Sequence, residues 1–273
     1  MRRFVKKMLD TKARFSRKGM SIVNEVTRAA LHPCVAHRGF SGRAPENTLA
    51  AFRMAMSQPF VQWIELDVHL SRDNVPVVIH DGTLKRTTNG QGLVREKTAA
   101  ELGALDAGSW FHASFASEGV PTLEQVVALT SGRCRLNVEL KGDAADRDLL
   151  ARKVVDVVRS YRLEHDTVIT SFHPELLSSV RNYYPAMRTG LIIDDRPFNL
   201  IPMLTVMGAS VLSIGYGRLT PQLLQQSADA SIDVMAWTVN SPGDLRRLAK
   251  RPEPFQLCTN YPDRWLAAVK EES

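Results

Sequence analysis

The chain has 273 residues, 44% of them apolar and 23% charged, which fits one large globular domain and excludes a disordered or fibrous chain. The net charge of +6 belongs to a tail: residues 1–30 hold nine Lys/Arg and two Asp/Glu, while the remaining 243 hold 26 and 27, so no basic stripe on the body argues for a nucleic-acid partner. No stretch reaches the roughly 18 apolar residues of a membrane span, and the three cysteines (Cys34, Cys134, Cys258) match no metal spacing, fall in predicted strands and read as buried thiols in a reducing, cytoplasmic setting.

Residues 1–31 form a basic N-terminal extension in which Phe4, Val5, Met8 and Leu9, and later Ile22, Val23 and Val26, recur at helical spacing. Three readings stand: a solvated helix or disordered tail, a helix making weak contact with an anionic membrane surface, or an Arg-rich targeting leader. Residues 32–273 read as one unit of alternating short apolar runs and helical patterns. Strands are predicted at 34–37, 63–70, 75–80, 134–140, 167–172, 188–193, 210–215, 233–239 and 255–259. Helices are predicted at 48–57, 121–130, 145–163, 174–183, 198–207, 221–230, 242–250 and 262–271, several opened by a capping Thr or Ser or by Pro. Such alternation implies a parallel sheet closed into a barrel. Only Ser71 to Asn74 separate the second and third runs, too few for a crossover helix, so this pair is an antiparallel hairpin with one member off the barrel wall. The Gly-rich stretch at about 83–120 has no long helical pattern and reads as a small lobe inserted over one rim.

The residues suited to chemistry gather at strand ends, where barrel active sites sit. The first strand ends in His37-Arg38-Gly39, with a guanidinium fork suited to phosphate. Glu46 follows just before a helix, where dipole compensation also accounts for an acid. On the second strand, Glu65, Asp67 and His69 share a face by the two-residue period. Two carboxylates on one face repel each other unless a divalent cation relieves them, and an all-oxygen set favours Mg²⁺ or Ca²⁺. A hairpin turn centred on Asp73-Asn74 pairs His80 with Asp67; a one-residue slip would turn His80 to the other face. The fourth strand aligns Glu139 with Lys141, a third acid for a cation and an ammonium for phosphate charge. Trp237 ends the penultimate strand with an indole that either stacks on a substrate edge or fills the core.

Taken in order, H-R-G at 37–39, P-E-N-T at 45–48, E-L-D-V at 65–68, H-D at 80–81, P-T-L-E at 121–124, E-L-K at 139–141, S-F at 171–172 and W-T-V-N at 237–240 resemble the motif series of the glycerophosphodiester phosphodiesterase family, from about residue 34 to 265. R-T-T-N-G-Q-G at 86–92 and L-D-A-G-S-W-F at 105–111 resemble that family's inserted segment. The resemblance implies an α/β TIM (β/α)₈ barrel and metal-dependent hydrolysis of a small glycerophosphodiester to sn-glycerol 3-phosphate and an alcohol. It implies His37 and His80 as an acid–base pair, Glu65, Asp67 and Glu139 as ligands of one Mg²⁺ or Ca²⁺, Arg38 and Lys141 on phosphate, and Trp237 at the glycerol. Where the family has Thr-Asp-x-Pro, this chain reads Thr259-Asn260-Tyr261-Pro262, which keeps the shape and loses a charge. The rivals are a lysophospholipase D or sphingomyelinase-D-like activity on the same scaffold, and a catalytically dead barrel that binds membranes.

Overall fold

The computed structural model describes residues 28–142, 145–195 and 197–270. The predicted helical patterns at Phe4–Leu9 and Ile22–Val26 lie outside the described residues. Eight parallel strands close a barrel: β1 (Cys34–His37), β2 (Val61–Leu70), β4 (Arg135–Leu140), β5 (Thr167–Ser171), β6 (Thr189–Ile193), β7 (Val211–Gly215), β8 (Asp233–Trp237) and β9 (Gln256–Thr259). Each pairs with the next, and β1 closes the ring by pairing with both β2 and β9. The extra strand β3 (Pro76–Val78) hangs antiparallel on β2, outside the wall. After β1 comes α1 (Leu49–Met56). Outer helices α3 (Leu123–Thr130), α4 (Arg147–Ser160), α5 (Pro174–Tyr183), α6 (Leu200–Met207), α7 (Pro221–Asp229), α8 (Pro242–Ala249) and α9 (Pro262–Lys270) follow later; the short α2 (Ala99–Gly103) belongs to the inserted stretch. No helix among the described residues is long and apolar enough to cross a membrane.

The capping signals act locally as their chemistry requires. Thr48, Thr122, Thr220 and Ser241 each accept a backbone N–H of the first helical turn, satisfying donors that helix geometry leaves orphaned. Apolar faces of the helices pack on the barrel in one core that includes Phe52, Leu66, Leu136, Val154 and Trp265. A second, smaller cluster inside the barrel (Val35, Trp63, Val168, Val211, Met235, Cys258) plugs the space below the strand ends. The inserted stretch has its own small core, with Leu84, Val94, Leu102, Ala107 and Val120 packed on Val77 and Ile79. Cys34 and Cys258 are buried; Cys134 is half-buried and immediately precedes β4.

The hairpin register differs from the sequence expectation by one residue. Val68 faces Val78 and Leu70 faces Pro76, so the connection has five residues rather than four. Ser71 causes the difference: its N–H donates to Val75 O at 3.0 Å and its hydroxyl accepts from Val75 N at 2.9 Å, while Asn74 takes the left-handed conformation at φ +61°. His80 is therefore not paired with Asp67. It nevertheless reaches the same cavity as Glu65 and Glu139, because β3 ends at Val78, Ile79 N donates to Asp67 O at 3.0 Å, and the next residue leaves the ladder.

Gly39 sets the turn after β1. Its φ is +80°, and a Cβ there would lie 2.7 Å from the Ala51 carbonyl carbon in α1. Gly132 has φ +70° with open space around it. Urea denaturation should show Gly39→Ala costing about 1–3 kcal/mol, clearly more than Gly132→Ala. Equal costs would mean that close approach to α1 does not constrain this turn.

Candidate active site

Parallel register brings the chemistry together. His37, the last residue of β1, stands opposite Glu65 of β2, and Asp67 two residues further stands opposite Glu139 of β4. One oxygen from each of Glu65, Asp67 and Glu139 lies within 4.8 Å of the others, and all three residues are buried. Lys141, just past β4, places its Nζ 3.3 Å from Asp67 Oδ1 and 2.5 Å from Glu139 Oε1. Arg38 bonds three acids: its backbone N–H donates to Glu65 Oε2 at 3.0 Å, its Nε is 3.0 Å from Asp67 Oδ2, and its terminal nitrogen donates to Glu46 Oε1 at 2.9 Å. Arg38 holds this position at φ +56°, a left-handed backbone uncommon for a residue with a side chain. Asn47, also left-handed at φ +59°, donates through Nδ2 to Asp67 Oδ2 at 2.8 Å.

The electrostatics follow from burial and spacing. Burial raises Asp67, but Arg38 and then Lys141 outweigh it and hold its carboxyl at about 2. Burial, reinforced by Asp67, raises Glu65 well above the carboxylate range and pushes Glu139 up to about 7. Glu65 Oε1 is buried without a hydrogen-bond partner among the described residues. A buried, orphaned carboxylate oxygen in a three-carboxylate cluster suits a hard divalent cation.

The two histidines stand in different settings. His37 Nδ1 meets Asn260 Oδ1 at 2.7 Å, so Nδ1 carries the proton and Nε2, 3.8 Å from Glu65 Oε2, keeps its lone pair. Burial, then Arg38, pushes its pKa down to about 4. His80 Nδ1 meets the Asp81 carboxylate at 2.6 Å, and Arg86 grips that carboxylate at 2.7 and 3.0 Å. The same guanidinium holds Glu46 at 3.0 and 2.8 Å. A continuous chain of bonds thus runs from His80 through Asp81, Arg86, Glu46 and Arg38 to Asp67. Glu46 precedes α1, outside its first turn, and its oxygens accept from Arg38 and Arg86. His69 Nε2 meets the His80 carbonyl at 3.0 Å, and the ring lines a neighbouring cavity with Gly82 and Lys141.

These groups line a cavity of about 150 Å³ at the C-terminal mouth of the barrel. His37, Arg38, Glu65, His80, Glu139 and Lys141 form its ionic side, and Phe172, Ile192, Ser213, Met235 and Trp237 its neutral side. The Trp237 indole meets Phe172 edge-on with ring centres 5.9 Å apart, and its Nε1 has no hydrogen-bond partner among the described residues. All nine residues singled out from the sequence therefore meet at or beside one cavity, Asp67 and Glu46 through their bonds to Arg38.

The glycerophosphoryl diester phosphodiesterase family model matches residues 37–264. The chain belongs to that family. It is 36% identical over 217 residues to a glycerophosphodiester phosphodiesterase of Caldanaerobacter subterraneus, covering 79% of this chain and 89% of that protein. An Oleispira antarctica phosphodiesterase, solved with the product sn-glycerol-3-phosphate, superposes with a TM-score of 0.82 at 30% identity and covers 88% of this chain and 98% of that one. An Agrobacterium tumefaciens glycerophosphodiester phosphodiesterase gives a TM-score of 0.77 at 31% identity, covering 86% and 99%. The barrel is that of a phosphoric diester hydrolase.

Four residues of this family site escaped the sequence reading: Asn47, Asp81, Arg86 and Ser213. The first three sit in motifs already singled out, and Asp81 and Arg86 act through a neighbour rather than at the cavity. Asn260 was noted for its lost charge; its bond to His37 could not be read from the sequence.

The raised pKa of Glu139 makes a signed prediction for the metal-free protein. Ionising it above about 7 costs folding free energy that the unfolded chain, titrating near 4.5, does not incur. That cost is absent below pH 4.5 and complete above pH 7. In EDTA, the melting temperature of Glu139→Gln relative to wild type should therefore rise from pH 5 to pH 8. A difference that is constant across that range would show that Glu139 ionises without penalty.

Proposed function

We propose that this enzyme hydrolyses glycerophosphodiesters to sn-glycerol 3-phosphate and an alcohol, with His37 as general base, His80 as general acid and a divalent cation, Mg²⁺ or Ca²⁺, held by Glu65, Asp67 and Glu139. The observation that carries the reading is the convergence of two differently supported imidazoles on one three-carboxylate cluster at one cavity of the barrel mouth. The bound cation would supply positive charge to stabilise the negative charge that grows on the phosphate. Arg38 and Lys141, already ion-paired to these acids, add fixed positive charge at the same wall.

His37 is neutral at pH 7 with its Nε2 lone pair free, the state a general base needs. It takes the proton of the attacking oxygen, which we assign to the 2-hydroxyl of the substrate's own glycerol; the first product is then a cyclic phosphate that water opens. His80, oriented by the bond between its Nδ1 and the Asp81 carboxylate, gives a proton to the leaving alkoxide. The bonds from Arg86 outweigh the burial that would raise it and hold Asp81 well below the carboxylate range, so it stays ionised. The complete set of acid, base and carboxylates disfavours a dead barrel.

His37→Ala and His80→Ala should each lower kcat on glycerophosphocholine by roughly 10²–10⁴. On a glycerophosphodiester with a p-nitrophenolate leaving group, which needs no proton, His80→Ala should recover most of that loss and His37→Ala should not. The reverse pattern would exchange the two roles. EDTA should abolish turnover and Mg²⁺ or Ca²⁺ restore it, and phosphorus NMR should show a transient cyclic phosphate. Full turnover in EDTA would remove the cation from the mechanism.

A further inference from the structure

A second cavity, of about 470 Å³, lies beside the one that holds the acids, and the chemistry above makes no use of it. That volume falls within the roughly 300–1,000 Å³ of ordinary small-molecule sites. Lys141 lines both cavities. The second cavity also borders His80. His69, in its wall, meets the His80 carbonyl at 3.0 Å, and Gly82, also in its wall, comes two residues after His80. His80 thus lines the first cavity while its carbonyl is tied to the wall of the second. Other polar side chains arrive from separate segments at the C-terminal end of the barrel: Thr83 and Arg95 from the inserted stretch, Asp146 just before α4, and His173 just before α5.

We infer that this second cavity seats the leaving alcohol, and that it selects diesters whose alcohol is a polyol over those whose alcohol is a quaternary amine. The placement follows from His80. A group that protonates the leaving oxygen stands at the root of the alcohol, so the rest of the alcohol extends past His80 into the space that His69 and Gly82 border. The class of alcohol follows from the lining. A carbonyl oxygen only accepts, so His69 Nε2 carries the proton and Nδ1 is left to accept. Arg95 and Lys141 only donate, an ionised Asp146 only accepts, and the Thr83 hydroxyl does both. Donors and acceptors gathered from several segments suit a ligand whose own hydroxyls do both. A quaternary ammonium makes no such bonds and is recognised instead over the faces of Trp, Tyr or Phe. Among the described residues, none of those three types lines this cavity. The ammonium charge would also meet Arg95 and Lys141 against the single carboxylate of Asp146.

This inference rests on the proposed hydrolysis with His80 as the acid, and its test separates the two. The substrates are glycerophosphoinositol, glycerophosphoglycerol and glycerophosphocholine, which share the glycerophosphate half and differ in the alcohol. Wild type should prefer the two polyol diesters by about ten-fold or more in kcat/KM, because a site built to bond hydroxyls discriminates against their absence. In the double variant Thr83→Val with Arg95→Ala, the preference should fall to within about three-fold. An unchanged melting temperature shows that the variant is folded. Calorimetric binding of the same three diesters to His37→Ala in Ca²⁺, with and without the two substitutions, gives the comparison without relying on turnover. If wild type turns over no diester but the binding preference is present and lost with the two substitutions, the hydrolytic reading fails and the alcohol site stands. If wild type hydrolyses all three diesters equally well, or the folded double variant keeps the full preference, the alcohol site is wrong.

Discussion

Three carboxylates held within 4.8 Å of one another in a buried site constrain everything around them. Burial and mutual repulsion disfavour their ionisation, and two of the three are pushed up accordingly. The protein meets this strain with Arg38 and Lys141, each shared among several acids. Even so, the bonded network contains five carboxylates against three cations, Arg38, Arg86 and Lys141, which leaves room for added positive charge. An apolar replacement would relieve the repulsion, so a buried acidic cluster of this kind points to a functional site.

The fold serves this cluster by register. Parallel pairing sets His37 beside Glu65 and Asp67 beside Glu139, so the relative heights of the acids are fixed by backbone hydrogen bonds across three strands. The inserted stretch adds Arg86, which ties Asp81 and therefore His80 to Glu46 and the first strand end. Placing a histidine that lies outside the barrel wall thus depends on a salt-bridged side chain from the insertion. The two imidazoles consequently differ: His37 is recessed, amide-supported and neutral, whereas His80 is carboxylate-supported and open to the cavity mouth.

Much of this was legible from the sequence because strand alternation is a strict rule. Glu65 with Asp67, and Glu139 with Lys141, could be assigned to one side of their strands from the two-residue period alone, and the four-residue gap after Leu70 demanded a hairpin. The register of that hairpin was not legible, because it depends on whether Ser71 bonds back to Val75, a choice that side-chain geometry makes locally. His80 reached the cavity by leaving the ladder one step after β3, which no periodicity signals. Arg86 was hidden because its bonds to Glu46 join residues 40 positions apart on separate loops, and Asp81 because it meets the site only through His80 and Arg86. Ser213 was hidden because a serine in an apolar strand is unremarkable until the cavity beside it is visible. The basic extension at 1–31 remains a matter of composition, its first 27 residues lying outside the described structure.

The cavity joins an ionic half to a neutral half lined by Phe172, Ile192, Ser213, Met235 and Trp237. The proposed chemistry depends on a cation seated among the three acids. The most direct test is an anomalous-scattering crystal structure after soaking with Mn²⁺. The account predicts one strong anomalous peak contacting Glu65, Asp67 and Glu139, with Lys141 Nζ moved off Asp67 or Glu139. An ordered, soaked crystal with no peak there, or with the peak at other residues, would contradict it.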